Sequence, residues 1–467
     1  MIRLRLAFLS LALAVAAGLS AQSPDRQALW AERVNCVVAI EFFTETELDR
    51  RPTEVFGVVA DDAGTIIFPA AAVNPRVTAS QLKDFRVYLP GTPVTAYFAA
   101  TYLGPDEYTG WHFIRVEEKA RPRLVPVTRF ARPGNPAPAI AEELWGIGLR
   151  KKDEDFAPFF LSSRVAIIQR LPQRTAVLAQ DVAGQGMPVF DATGGFVGLT
   201  VGGFGQTFVQ YSARDRGGLP VVMVNPDESS AVTLAEEVLP HLGRVPQNPE
   251  GRPLAWLGAN GLEPLDPEVA AFMKLGGQTG LVVSEVLEGS PAEKAGLRER
   301  DIILTFAGAP LPLYKPDRVV AAYLDREIDR RRPGDTVTLG VLRGDQRMEI
   351  TATLEDAPTL PREAERRYFD FVGLTVRAFT YADGAVRRAK LASHRGVIAH
   401  FVKANAPAST AGLRMDDWIK EIDGVPVADF AGAAAQLAAI EADRARSEFV
   451  VLVDRGGETA VLRVKLK

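Results

Sequence analysis

The side chains that most often perform covalent chemistry are scarce in this chain. It contains one cysteine, Cys36, and four histidines: His112, His241, His394 and His400. A hydroxyl or thiol becomes a useful nucleophile when a neighbouring base takes its proton. Cys36 lies in the apolar run 34–40, which is typical of a buried small side chain rather than a reactive thiol. A single cysteine also excludes an internal disulfide.

The other candidates for nucleophile and base favour structural roles. His112 stands between Trp111 and Phe113 in an alternating, strand-like run, so a packed or solvent-facing ring is favoured over a catalytic base. Ser162 and Ser163 are typical of hydrogen-bonding residues at the start of a strand.

The sequence predicts no metal site and no cofactor. His394 and His400 are six residues apart, which suits neither one face of a helix nor a known metal-ligand spacing. The acidic run 153–155 is typical of a charged loop tip. Neither a phosphate-binding glycine loop followed by Lys-Ser/Thr nor a dinucleotide fingerprint occurs.

A motif written twice indicates two copies of one domain. Residues 290–308 and 406–424 share the pattern P-A-x-x-A-G-L-R-x-x-D-x-I followed by a glycine, displaced by 116 residues throughout. The Pro-Ala step predicts the start of a short helix, and Gly296 and Gly412 predict its end. The Asp then leads into an Ile-bearing strand.

This repeat resembles PDZ domains, specifically the circularly arranged PDZ domain of bacterial secreted proteases. PDZ domains bind a peptide C-terminus or an extended segment as an added strand beside a helix, and backbone amides of a loop hold its carboxylate. The resemblance implies two such loops: Trp256, Leu257, Gly258 and Ala259, and Phe371, Val372, Gly373 and Leu374. It implies helix walls from Val319, Val320 and Tyr323, and from Phe430, Ala434 and Leu437.

We expect the first copy to carry the main peptide site because its helix has the larger side chains. The alternative for both copies is that they only pack against the rest of the protein and bind nothing.

Length and charge bound the class of protein. A chain of 467 residues should hold about three domains, and its 47% hydrophobic share is ordinary for domains with buried cores. The net charge of −4 gives no basic surface, so nucleic acid is not an expected partner.

The first residues predict export. A basic start at Met1–Arg5, an apolar run at Leu6–Leu19 and small residues to Ala21 are typical of a signal peptide over residues 1–21. The alternative, a membrane anchor, would need a longer apolar run. We expect a periplasmic or extracellular protein without a membrane span in the mature chain.

The pattern beyond residue 30 predicts a mainly β protein. Short runs rich in Val, Ile, Phe and Tyr, separated by Gly, Pro and Asp, fill residues 31–230, and a helix is predicted over Ser230–Leu242. Linkers rich in Pro and charge are predicted at 244–253 and 357–367. This leaves a β-rich domain at 31–243, the first PDZ unit at 254–356 and the second PDZ unit at 368–467.

The whole layout resembles the HtrA (DegP-like) family of trypsin-fold serine proteases, which implies a trypsin-like double β-barrel followed by two α+β PDZ domains. Three segments carry the resemblance in the β-rich domain: FPAAAV at 68–73, GWHFIRV at 110–116 and GQGMPVF at 184–190. Carried over position by position, the catalytic His becomes Ala71, the Asp becomes Gly110 and the nucleophilic Ser becomes Gln185. The glycine of the oxyanion hole becomes Ala183.

The resemblance therefore implies a catalytically degenerate member of the family. No Ser, Thr or Cys occurs from Asp181 to Asp191, so a shift of register restores no nucleophile.

Two functions remain open at this point. One is a non-catalytic protein that binds polypeptide C-termini or unfolded segments and acts as a chaperone, adaptor or scaffold. A homo-oligomer is compatible with this function. The other is an active serine endopeptidase with an unrecognised catalytic arrangement.

Overall fold

The computed structural model describes residues 26–170, 173–201, 207–211, 220–224, 231–314, 319–390 and 393–466. The predicted signal peptide, 1–21, lies outside these residues. Helix α1 (Arg26–Arg33) precedes two β-barrels and two α+β units. The predicted mainly β fold, a trypsin-like double barrel followed by PDZ domains, is confirmed.

The first barrel is built from alternating apolar strands within residues 37–116, all of which are described. Its six strands close in the order β1-β2-β3-β6-β5-β4. They are β1 Val37–Glu45, β2 Arg50–Val59, β3 Thr65–Pro69, β4 Leu82–Tyr88, β5 Phe98–Asp106 and β6 Trp111–Val116. The strand predicted at Trp111–Val116 has these bounds.

The second barrel closes in the order β10-β11-β14-β9-β8-β7 within the described part of residues 143–234. The strands of this region are β7 Glu143–Leu149, β8 Pro158–Gln169, β9 Thr175–Leu178, β10 Pro188–Asp191, β11 Phe196–Val201, β12 Thr207–Tyr211, β13 Pro220–Val224 and β14 Ala231–Leu234. Strands β12 and β13 form a separate hairpin.

The helix predicted over Ser230–Leu242 is wrong in its first part. Residues Ala231–Leu234 form strand β14, and helix α2 begins at Ala235 and ends at Val238. Val232 and Thr233 are β-branched and pair with both β11 and β9, so the closure of the barrel decides their conformation.

One apolar core joins the two barrels. Val37 and Phe113 of the first barrel belong to the same buried cluster as Ile147 and Phe190 of the second. Cys36 is fully buried in this cluster, and burial raises the pKa of its thiol well above the ordinary value, as expected of a structural cysteine. A shared core fixes the barrels against each other and so defines the cleft between them.

The first PDZ unit carries a five-strand path β17-β18-β20-β22-β23, with β21 paired to β20 and the separate pairs β15-β24 and β16-β19. Its strands are β15 Ala255–Trp256, β16 Ala259–Asn260, β17 Glu263–Pro264, β18 Leu281–Val282, β19 Glu285–Val286, β20 Ile302–Phe306, β21 Ala309–Pro310, β22 Thr336–Arg343, β23 Gln346–Thr353 and β24 Glu355–Asp356. Its helices are α3 Pro267–Phe272, α4 Pro291–Lys294 and α5 Val319–Asp329.

The second PDZ unit has the sheet order β25-β26-β27-β28-β30-β31, with β29 paired to β28. Its strands are β25 Arg366–Phe369, β26 Leu374–Ala378, β27 Val397–Val402, β28 Trp418–Ile422, β29 Val425–Pro426, β30 Glu448–Arg455 and β31 Glu458–Lys465. Its helices are α6 Tyr381–Val386, α7 Pro407–Thr410 and α8 Phe430–Ala442. Strand β25 includes Arg366 and Arg367, which the sequence pattern assigned to a linker.

The Asp of the repeated motif does the same work in both units. Asp301 accepts a hydrogen bond from the Arg298 amide at 2.8 Å and pairs with Arg343 at 2.7 Å. The equivalent Asp417 accepts from the Arg414 amide at 2.8 Å and pairs with Arg455 at 2.7 Å. Each Asp thus fixes the turn after the short helix to the last hairpin of its unit.

Candidate functional site

The cleft between the barrels contains two of the three positions at which the family resemblance expects a catalytic residue. Gly110, in the turn before β6, and Gln185, in the loop before β10, line a cleft of about 160 Å³. Gly110 has no side chain, and Gln185 offers a neutral amide. Neither can supply the nucleophile or the orienting acid of a serine-protease triad.

Ala71 lies beside this cleft and lines a different cavity. It belongs to the single helical turn Ala70–Ala72 after β3, and the Ala70 amide donates to the Gly110 carbonyl at 2.8 Å. Ala71 itself lines a cavity of about 630 Å³ together with His112 and Tyr102. The turn that carries Ala71 thus lies next to Gly110, and Pro69, which precedes this turn, lines the cleft together with Gln185.

His112 is a packed histidine. It is buried, its ring stacks on Phe68 with ring centroids 5.2 Å apart, and its Nδ1 lies 2.6 Å from the Tyr102 hydroxyl. Burial, with a smaller contribution from Arg362, lowers its pKa to about 4. The ring is therefore neutral at neutral pH.

The loop that carries Gln185 is fixed by bonds to strand β11. The Gly186 amide donates to the Thr200 carbonyl at 2.7 Å, and the Met187 amide donates to Thr200 Oγ1 at 2.9 Å. The Thr200 hydroxyl in turn donates to the Gly184 carbonyl. These bonds hold the loop after Gln185 against the second barrel.

Sequence reasoning missed His241 as a residue of the cleft. It follows helix α2 and lines the same cleft as Gln185. Its ring meets the Tyr108 ring edge-on, with centroids 4.9 Å apart, and burial and the nearby arginines lower its pKa. In the described ranges, no Ser or Thr hydroxyl forms a hydrogen bond with it. No sequence signal pointed to this position, because it lies at the end of a segment read only as a helix.

Tyr108 connects the cleft to the first PDZ unit. Its hydroxyl accepts from Arg326 at 3.0 Å and from Arg330 at 2.9 Å; Arg326 belongs to helix α5, and Arg330 directly follows the helix. The Arg244 guanidinium lies 4.6 Å from the Tyr108 ring centre. The helix expected to form one wall of the peptide groove is therefore held against the turn that carries Gly110.

The loop of the first PDZ unit is built around Gly258. Its φ of +81° favours glycine, and a Cβ there would lie 2.2 Å from Ser290 Cβ. Leu257 is buried, and Trp256 extends to the second PDZ unit, where its ring lies edge-on to Tyr381 with centroids 5.5 Å apart. Within the part of the chain that is described, the amides of Leu257 and Gly258 donate to no carbonyl or side chain.

The strand after this loop has a free edge. Residues 259–264 pair with residues 281–286 on one side, through Ala259 with Val286 and Pro264 with Leu281. On the other side no strand among the described residues pairs with them. Helix α5 lies beside this segment, with Val320 and Leu324 buried and Tyr323 half-buried against Tyr314. Val319 is the first residue of α5, and its side chain lies outside the described part of the chain.

The loop of the second PDZ unit has the same form. Gly373 has a φ of +72°, and a Cβ there would lie 2.2 Å from Ala406 Cβ. Val372 and Leu374 are buried, and Phe371 is half-buried under the guanidinium of Arg444.

The strand after this second loop has no free edge. Strand β26 pairs with β27 on one side and with β25 on the other, from Phe369 opposite Leu374 to Arg366 opposite Arg377. The edge to which a ligand would add is covered by the chain itself. Of the two predicted peptide sites, only the first has an open strand.

Neither a metal centre nor a membrane helix emerges from the described residues. Within them, no three His, Cys, Asp or Glu side chains are placed to hold a metal ion. No helix among them has the length and apolar character needed to cross a membrane.

Comparison with known proteins places these features in a family. A family model described as PDZ domain matches residues 256–354. The chain is 33% identical over 152 residues to the probable periplasmic serine endoprotease DegP-like of Chlamydia trachomatis, which covers 32% of this chain and 28% of that protein. It is 32% identical over 163 residues to the periplasmic pH-dependent serine endoprotease DegQ of Escherichia coli, over 35% of this chain and 32% of that protein. The chain thus matches about a third of the length of these curated relatives.

A solved structure agrees at the level of the fold. The HtrA-type protease AlgW with tripeptide superposes with a TM-score of 0.51 and 16% identity, covering 72% of this chain and 99% of that chain.

The double barrel and the PDZ domain define a protein of the HtrA architecture. Together with the similarity to the DegP-like and DegQ relatives, they support the predicted resemblance to the HtrA/DegP-like family. Both relatives are named as periplasmic, in agreement with the predicted periplasmic or extracellular location.

Proposed function

We propose that this protein is a non-catalytic homologue of the HtrA proteases that binds protein termini or unfolded segments, as a chaperone, adaptor or scaffold. The observation that carries the proposal is the content of the inter-barrel cleft. Gly110 and Gln185 stand there at the positions expected for the acid and the nucleophile, and Ala71 stands beside it at the position of the base. A serine-protease mechanism needs all three groups acting together.

The binding half of the proposal rests on the first PDZ unit. Strand addition requires an unpaired edge beside a helix, and residues 259–264 beside α5 provide one. The amides of Leu257 and Gly258 are available to a terminal carboxylate. The expected ligand is therefore an extended polypeptide with a free C-terminus, or an unfolded segment that can adopt a strand.

An active endopeptidase is the alternative, since the relatives are named as endoproteases. One observation favours it: His241 lines the cleft beside Gln185. Incubation of the purified chain with unfolded casein separates the two functions. We expect no release of peptides above the buffer background, and none from the single substitution Gln185→Ser, because that variant gains a hydroxyl without gaining a base.

Cleavage of casein by the unsubstituted chain that disappears in His241→Ala would overturn the proposal. The matched control is His394→Ala, which changes a histidine of the second PDZ unit. A contaminating protease would leave cleavage unchanged in both variants, and repurification would remove it.

A further inference from the structure

We propose that the peptide groove of the second PDZ unit is already filled by the chain's own segment Arg366–Phe369, and that this unit accepts another polypeptide only when that segment is displaced. The proposal goes beyond the proposed function, because it assigns a closed state to the peptide groove of the second PDZ unit. Its observations lie within the second PDZ unit and do not depend on the chemistry of the barrels.

The first observation is the position of β25. It runs antiparallel to β26 from Phe369 opposite Leu374 to Arg366 opposite Arg377, and the Ala378 amide donates to the Glu365 carbonyl at 2.8 Å. An added peptide strand would make the same pairings with the same edge. Helix α8 packs against both β25 and β26, so β25 lies where a ligand would lie.

The second observation concerns the amides of the loop. The Phe371 amide donates to Glu441 Oε1 at 2.7 Å, and the Gly373 amide donates to the Phe369 carbonyl at 2.8 Å. In C-terminal recognition, amides of this loop hold the carboxylate of the ligand. Here a carboxylate of helix α8 takes one donor, and the carbonyl of the seated strand takes another.

The third observation is the side chain that anchors the segment. Phe369 is fully buried in one cluster with Ala433, Ala434 and Leu437 of helix α8. The small alanine side chains leave room for an aromatic ring, and Phe369 occupies it.

The far end of the segment is held as well. The Arg366 guanidinium lies 2.8 Å from His400 Nε2 and donates to the Arg362 carbonyl at 2.9 Å. The seated strand is therefore fixed at its start by Arg366 and at its end by Phe369 and the Glu441 contact. A competing ligand should resemble it: an extended segment that ends in an aromatic residue.

Hydrogen exchange of the full chain tests the closed state directly. Without any ligand, the amides of β26 that face β25 should exchange slowly. Arg367→Pro should speed their exchange by about tenfold or more, because Arg367 lies opposite Val376 of β26 and proline lacks the amide hydrogen for this pairing. The Arg367 side chain is exposed, and its guanidinium lies 5.1 Å from the Phe369 ring centre, so the substitution removes this contact together with the amide hydrogen.

A gentler variant covers the case in which Arg367→Pro does not fold. Glu441→Ala should leave β26 protected and speed the exchange of the Phe371 amide. Gln436→Ala, on the same helix, is the matched control and should change neither.

The groove is then tested with a synthetic peptide of residues 363–369 that ends in the free carboxylate of phenylalanine. It should slow the exchange of β26 in Arg367→Pro, and have no effect on the second PDZ unit of Glu441→Ala or of the unsubstituted chain, in which the segment stays in the groove. The same peptide with its final phenylalanine replaced by alanine should have no effect on any of them.

Rapid exchange of β26 in the unsubstituted chain would overturn the proposal. So would equal protection by the peptide in the unsubstituted and the opened chains. A failure of the first PDZ unit to bind any peptide would instead contradict the proposed function and leave these exchange rates unchanged.

Discussion

The two PDZ units place the same loop in two different settings. Each loop accepts equivalent backbone hydrogen bonds. In the first unit the Ala292 amide donates to the Leu257 carbonyl and the Leu287 amide donates to the Gly258 carbonyl. In the second unit the Ala408 amide donates to the Val372 carbonyl and the Lys403 amide donates to the Gly373 carbonyl. The backbone of the two loops is thus held by the same pair of hydrogen bonds.

What differs is the partner of the strand before the loop. In the first unit Ala255 pairs with Asp356, at the end of the domain, and leaves residues 259–264 with an open edge. In the second unit Arg366–Phe369 turns back and pairs with β26. The strand before a binding loop can therefore pair with the last strand of its unit, as in the first unit, or with the strand after the loop, as in the second. The first pairing leaves the groove open, and the second pairing closes it.

The largest effect expected from this comparison is at the two loop glycines. Gly258→Ala and Gly373→Ala should each destabilise their own unit by about 2–4 kcal/mol, since each combines a positive φ with a Cβ placed 2.2 Å from a neighbouring Cβ. The measurement is hydrogen exchange of each unit in the full chain at increasing urea concentration.

The hairpin glycines Gly344 and Gly456 are the matched controls. They also have positive φ values, but a Cβ at either would meet nothing within 4 Å, so their alanine variants should cost only about 1 kcal/mol. A large cost at Gly258 with a small cost at Gly373 would show that the two loops are not built alike. A large cost in stability at Gly258 would also mean that a substitution there cannot be used to measure ligand binding alone.

Local patterns in the sequence predicted much of the fold. The strands Trp111–Val116, Phe196–Val201 and Thr336–Arg343 have their predicted bounds, because each is a run rich in β-branched, aromatic and aliphatic residues between turn residues. The displacement of 116 residues placed Asp301 and Asp417 in equivalent turns.

Pairings over a distance escaped sequence reasoning. Ala231–Leu234 became a strand because the second barrel needed a sixth one, and Arg366–Phe369 became a strand because β26 offered an edge. His241 entered the cleft through the packing of a helix end, which leaves no local pattern. The predicted peptide sites remain predictions until ligand binding is measured.

An effect of intermediate size should distinguish helix α5 of the first unit from helix α8 of the second, through peptide affinity and stability. Tyr323→Ala removes part of the open groove and should weaken binding of a C-terminal peptide to the full chain by about 1–2 kcal/mol, roughly fivefold to thirtyfold. Leu437→Ala should leave the peptide affinity unchanged, because the second groove is closed. It should lower the stability of the second PDZ unit by about 2–4 kcal/mol, since Leu437 is fully buried.

Titration of the full chain with a fluorescent peptide measures the first effect, and an amidated peptide controls for the carboxylate. If Leu437→Ala weakened peptide binding and Tyr323→Ala did not, the second unit would contain the groove that binds peptide, which is the reverse of our assignment.

The smallest effect is a loss of stability at acidic pH, which we expect in the second unit. The first PDZ unit contains no histidine, whereas His400 of the second lies 2.8 Å from the Arg366 guanidinium at the start of the seated strand. Burial, then Arg366 and Arg377, lower the pKa of His400 to about 4, against the opposing influence of Glu47 and Asp416.

Because the folded pKa of His400 lies below its unfolded value, the stability that the neutral ring contributes is complete above about pH 6.5 and is lost as the pH falls towards 4. Solvent screening of the half-buried ring reduces the loss to about 1 kcal/mol at pH 5. Urea unfolding at pH 7.5 and pH 5, followed by hydrogen exchange of β26 corrected for its intrinsic pH dependence, measures it. His400→Gln keeps an acceptor for Arg366 but does not titrate, so β26 in this variant should lose less stability between the two pH values. Equal losses in both proteins would show that Arg366 does not depend on a neutral His400 to hold the strand in the groove.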